Sequence, residues 1–123
     1  MIKIRWTWLA IAIVFFLCMI ILGSLPGHAQ ALTEKINDKI LHFLAYGLLT
    51  ALIYLSLGTT QVRKFTTTLC IIIILGMTDE LIQSTLPYRT ASLLDLSVDI
   101  LAACLITSCL SLFRVQDKNN KNT

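Results

Sequence analysis

The chain has 123 residues, 56% of them hydrophobic and only 14% charged, with a formal net charge of +3. A soluble domain carries about 25% charged residues, so a soluble fold is excluded and the length leaves room for one domain. No basic stripe or aromatic ladder is present, and nucleic acid is therefore not an expected partner.

Four apolar runs follow one another along the chain. Trp6 to Leu22 is uncharged throughout, and Ile40 to Leu57 is interrupted only by His42. Phe65 to Ile82 is apolar until Asp79 and Glu80, and Leu93 to Phe113 carries Asp95 and Asp99 near its start. Each has about the 17–25 residues that a bilayer-spanning helix needs. Helix is the expected form, because every backbone donor must be satisfied inside the segment. The reading is an all-α membrane protein, a four-helix transmembrane bundle. One domain covers residues 1–115, with helices at about 6–22, 40–57, 65–82 and 93–113.

The links are short. Gly23-Ser24-Leu25-Pro26-Gly27 ends the first run sharply, Gly58 is placed as a helix-ending cap for the second, and Pro87 separates the third from the fourth. Residues 116–123 are polar and are expected to form a disordered tail. The first run also has a rival reading. Ala29-Gln30-Ala31 has the small-x-small look of a signal-peptidase site. Retention is favoured because the apolar run is long for a signal core. If it were removed, three spans would remain and the polar site would be untouched.

Orientation follows the lysine and arginine bias. One side takes Lys3, Arg5, Arg63, Lys64, Arg114, Lys118 and Lys121, and the other takes Lys35, Lys39 and Arg89. Both termini are thereby assigned to the cytoplasm. Glu34, Asp38, Asp79, Glu80, Asp95 and Asp99 then fall at the outer face.

These acids carry the functional reading. A charge at the centre of a spanning helix costs roughly 2.5–3.5 kcal/mol on insertion scales, and such residues usually mark a site. Asp38, His42 and Tyr46 recur every four residues, which puts them on one face of the second helix. Asn37 or Asp38 suits the N-cap. In the third run Asp79 and Glu80 precede Gln83, and Gly76 one turn earlier allows close helix approach. Asp95 and Asp99 share a face of the fourth helix, followed by Ala102 and Ala103. At about 1.5 Å per residue, Asp99 lies roughly 9 Å beyond the helix start. Antiparallel packing brings these groups to one depth, with Lys39 and Arg89 as counter-ions. Cys18, Cys70, Cys104 and Cys109 sit in apolar runs with no Cys-x-x-Cys pair, so no disulfide is expected. Trp6 and Trp8 read as interface anchors and Tyr54 as packing.

The pattern Asp38-Lys39-x-x-His42-Phe43-x-x-Tyr46, Asp79-Glu80-x-x-Gln83, Arg89, Asp95-x-x-x-Asp99 resembles the VanZ-like family of small bacterial membrane proteins. The resemblance covers about residues 37–103. That family typically has Asn where Asp99 stands and Gly where Ala102 stands. The resemblance implies a multi-pass protein of the bacterial cytoplasmic membrane with an envelope role, and a link to low-level resistance to the glycopeptide teicoplanin. It supplies no catalytic mechanism.

Three functions are weighed. In the first, a polar site of Asp38, Lys39, His42, Tyr46, Asp79, Glu80, Gln83, Arg89, Asp95 and Asp99 binds or modifies an anionic membrane lipid or lipid-linked cell-wall component. Arg89 and Lys39 then serve as the anion donors. In the second, the same acids and His42 form a metal or acid/base enzyme, although no nucleophile elbow or His-Glu-x-x-His spacing is present. In the third, the charges only fix helix register. No cofactor is expected, a transporter is disfavoured by the lack of repeats or broken helices, and an oligomer is compatible with all three.

Overall fold

Arg5 donates its backbone N–H to Ser56 O at 2.8 Å, and this contact starts the first helix against the end of the second. The computed structural model describes residues 2–27, 31 and 36–120, with side chains through Phe113. Its helices are α1 (Trp6–Ser24), α2 (Asp38–Ser56), α3 (Gln61–Ser84) and α4 (Leu93–Asn120). Two short strands, β1 (Lys3–Ile4) and β2 (Leu57–Gly58), pair antiparallel, with Lys3 opposite Gly58. Among the described residues, four helices are long and apolar enough to cross a membrane, the make-up of a multi-pass membrane protein.

Local chemistry explains the boundaries. Asn37 is the N-cap of α2, its side chain accepting from the Lys39 backbone N–H at 2.9 Å. Asp38 is thus left in the first turn, where a carboxylate complements the helix dipole. At the far end Leu57 turns extended, and the expected Gly58 cap is not formed. Only Gly27 has positive φ among the described residues. Gly58 is instead a strand residue pressed against β1, where a Cβ would lie 3.0 Å from Lys3 O and 3.1 Å from Lys3 Cβ. Its lack of a side chain serves close approach rather than a left-handed turn. Gly58→Val is therefore expected to unpair the two strands, at a cost of about 1–3 kcal/mol for overpacking. Faster hydrogen exchange at the Arg5 amide would report it, and unchanged exchange would refute the steric argument.

The fourth helix also differs from expectation. It continues to Asn120 instead of ending at 113, so residues 116–120 of the expected disordered tail are helical. Propagation of an existing helix adds one hydrogen bond for each residue fixed, and Gln and Lys are good helix formers. Residues 121–123 lie outside the described ones, as do most of Ala29-Gln30-Ala31 and both Glu34 and Lys35.

Helix α2 is central, packing on α4, α1 and α3, while α3 also lies on α4. Tyr46, Leu49, Leu52, Ile53, Ile72 and Ala103 form the core with Ala12 of α1. Ala102 and Ala103 are fully buried, which lets α4 come close. The apolar side chains left exposed, such as Val14, Leu44, Ile74 and Leu101, suit a hydrocarbon surrounding. The cysteines are all free.

Candidate functional site

Four-residue spacing aims three side chains of α2 at its neighbours. Asp38 sits half-buried in the first turn, and His42 and Tyr46 are buried below it. His42 Nδ1 lies 3.0 Å from Asp99 Oδ1, and both side chains are enclosed. The His42 and Tyr46 rings stack, with centroids 5.9 Å apart and planes 4° apart. The Tyr46 hydroxyl donates to Asp79 Oδ2 at 3.2 Å, which ties α2 to α3. Lys39 Nζ reaches Asp95 Oδ1 at 2.5 Å, a second link from α2 to α4.

Two more groups complete the same end of the bundle. Arg89, in the link between α3 and α4, donates from Nη2 to Gln83 Oε1 at 2.9 Å and stands 3.9 Å from Asp38 Oδ1. Glu80 Oε2 accepts the Ser92 backbone N–H at 2.6 Å. That N–H lies just before α4, so the carboxylate acts at a helix N-terminus, where negative charge is favoured. Gly76 makes room for this convergence. A Cβ there would meet Leu96 Cδ1 at 2.9 Å and Asp99 Oδ2 at 3.3 Å.

All ten residues singled out from the sequence thus lie at one end of the bundle. Lys39 pairs with Asp95, His42 with Asp99, Tyr46 with Asp79, and Arg89 with Gln83 and Asp38. Glu80 holds a backbone amide instead of a cation. Two buried carboxylate oxygens have no hydrogen-bond partner among the described residues, Asp99 Oδ2 and Glu80 Oε1. A buried polar atom without a partner costs free energy in a low-dielectric interior.

A cavity of about 190 Å³ opens beside these groups. His42, Tyr46, Asp79, Gln83 and Arg89 give it a polar wall, and Met19, Leu22 and Gly23 of α1 give it an apolar one. The expectation that the site is independent of the first span is therefore corrected. Helix α1 closes the cavity, and the Tyr88 hydroxyl donates to Ser24 O at 2.5 Å to fasten it there. Apolar periodicity could not reveal this, because α1 is uncharged and shows no distinct polar face.

The opposite end holds a polar group built on Tyr54 and Lys64, expected from the sequence as packing and a topology charge. Tyr54 O–H donates to Gln61 Oε1 at 2.9 Å and lies 3.1 Å from Ser111 Oγ. Lys64 is almost fully buried, donates to Tyr54 O at 3.3 Å and lies over the Tyr54 ring at 4.8 Å from its centroid. Seven-residue spacing between Tyr54 and Gln61 spans a helix end, so no helical repeat signals it.

No family model matches the chain. An uncharacterized protein of Schizosaccharomyces pombe is 33% identical over 91 residues, covering 73% of this chain and 56% of that protein. The chain thus spans little more than half the length of this relative. No solved structure matches.

Proposed function

We propose that the chain is a VanZ-like envelope protein whose polar pocket binds the anionic headgroup of a membrane lipid or lipid-linked cell-wall component. The bias of seven lysines and arginines to three supports an outer-leaflet pocket with both termini cytoplasmic. A bacterial cytoplasmic membrane and an effect on glycopeptide susceptibility follow from the resemblance.

The observation that carries the reading is the two-faced cavity. Arg89 and the apolar Met19 and Leu22 all line it, a combination suited to a headgroup with its chain attached. An arginine has five N–H donors in a planar fork, and Gln83 takes one through Nη2. Those remaining can address phosphate in the bidentate manner that lysine cannot reproduce.

The test compares Arg89→Ala and Arg89→Lys in purified protein reconstituted with an anionic phospholipid. A charged hydrogen bond contributes about 1.5–3 kcal/mol, and each 1.4 kcal/mol is about tenfold in affinity. Arg89→Ala is expected to lose at least about tenfold in lipid retention, and Arg89→Lys less. Wild-type retention by both folded variants would refute the headgroup reading. The same pair, scored for teicoplanin susceptibility in a bacterial host, tests the envelope role.

A further inference from the structure

The charges at this end do not balance. Among the described residues, Asp38, Asp79, Glu80, Asp95 and Asp99 face Lys39, Arg89 and His42. Asp99 is fully buried and Glu80 is 8% exposed, yet each keeps an oxygen without a hydrogen-bond partner among the described residues. A buried site with surplus carboxylate is one a cation would stabilise.

Three of the groups stand where they can share one. Asp38, His42 and Asp95 each bring a ligand atom within 4.8 Å of the other two. Asp38 and His42 come from one face of α2, and Asp95 comes from α4. Metal–ligand distances of about 2.0–2.2 Å imply tetrahedral ligand separations near 3.4 Å. The carboxylates would close in by side-chain rotation, for which half-buried Asp38 has room.

Asp99 supplies the remaining feature. A metal-bound histidine usually donates its other ring N–H to a carboxylate, which sets the tautomer and the ring orientation. Here Asp99 Oδ1 lies 3.0 Å from His42 Nδ1, so the Nδ1–H tautomer leaves Nε2 as the coordinating nitrogen. We infer that Asp38, His42 and Asp95 form a binding site for a divalent transition cation, with Asp99 as the positioning residue for His42. One imidazole and two carboxylates suit Zn²⁺ or Mn²⁺. Lys39 acts as the resident counter-charge. Its ammonium occupies Asp95 Oδ1, and its side chain is 40% exposed, so it can swing outward when a cation enters. The site would stand at the edge of the cavity that Asp38 and His42 line. Arg89 is not a ligand, so this site stands or falls apart from the headgroup reading.

The test is calorimetric titration of ZnCl₂ or MnCl₂ into the full chain in detergent, without added lipid. One cation per wild-type chain is expected. His42→Ala should abolish saturable binding. Asp99→Asn still accepts from Nδ1–H but lacks the charge that raises the imidazole's basicity, and should weaken binding about tenfold, the low end of such effects. Lys39→Gln removes the competing ammonium and should tighten binding severalfold. A salt bridge serving structure alone would not produce that gain. If His42→Ala does not fold, Asp38→Asn in the half-buried first turn replaces it, with loss of binding again expected. Absence of saturable binding by wild type with both metals overturns the site. So does wild-type affinity in folded His42→Ala or Asp38→Asn, which would mark an adventitious ion only.

Discussion

Asp99→Ala is expected to be strongly destabilising. The change leaves His42 Nδ1 without its carboxylate in a region where both side chains are buried. Removing one partner of a buried pair costs about 3–5 kcal/mol when the survivor is charged. The cost falls to about 1–3 kcal/mol when the survivor is a neutral donor. Asp99→Asn is expected to behave differently, since its amide oxygen can still accept from Nδ1–H while the buried negative charge disappears. It also relieves the unpartnered Asp99 Oδ2. Thermal unfolding in detergent should place Asn at or above wild type and Ala well below. Equal melting temperatures for Asn and Ala would show that the contact to His42 contributes nothing.

Tyr46→Ala is expected to cost at least as much. The ring is fully buried, stacks on His42 and belongs to the core with Leu49 and Ile72. Large-to-small changes of an aromatic core residue cost about 3–5 kcal/mol through lost packing and the void left behind. Tyr46→Phe separates the hydroxyl from the ring. It keeps the volume but leaves Asp79 Oδ2 without its donor, for about 1–3 kcal/mol. Combining Tyr46→Phe with Asp79→Asn checks the assignment through a double-mutant cycle. A coupling of about 0.5–3 kcal/mol is expected for groups in direct contact. A coupling near zero would mean that the hydroxyl and carboxylate do not recognise each other.

The headgroup and cation readings answer the same imbalance from opposite sides. Lys39 and Arg89 are too few to neutralise five carboxylates and still offer a strong positive field to a phosphate. A divalent cation would correct this, and its open coordination positions would attract an anionic oxygen. If both readings hold, lipid retention should rise with bound metal, and Arg89→Ala should weaken that retention while the metal still binds.

Much of this organisation is written in local patterns. The number of helices long and apolar enough to cross a membrane follows from four apolar runs, since hydrocarbon would leave no other partner for the backbone. The site residues stand out for the same reason: Asp79, Glu80, Asp95 and Asp99 are costly in such surroundings wherever they point. Helical spacing alone places Asp38, His42 and Tyr46 on one face, and antiparallel order brings that face level with the later acids. Gly76 is legible too, as a small residue one turn from the acids.

The partnerships were decided only by the packed bundle. Spacing along α2 cannot tell that Lys39 takes Asp95 while His42 takes Asp99, because interhelical register depends on side chains interlocking across α2 and α4. Nor can it show that Glu80 secures the start of α4 or that Gly58 presses against Lys3. The role of α1 is the clearest case. An uncharged helix has no residue to mark its orientation, so its closing of the cavity exists only once Met19 and Leu22 meet the polar wall. The chain alone determined which groups must avoid lipid; contact between helices determined which of them avoid it together.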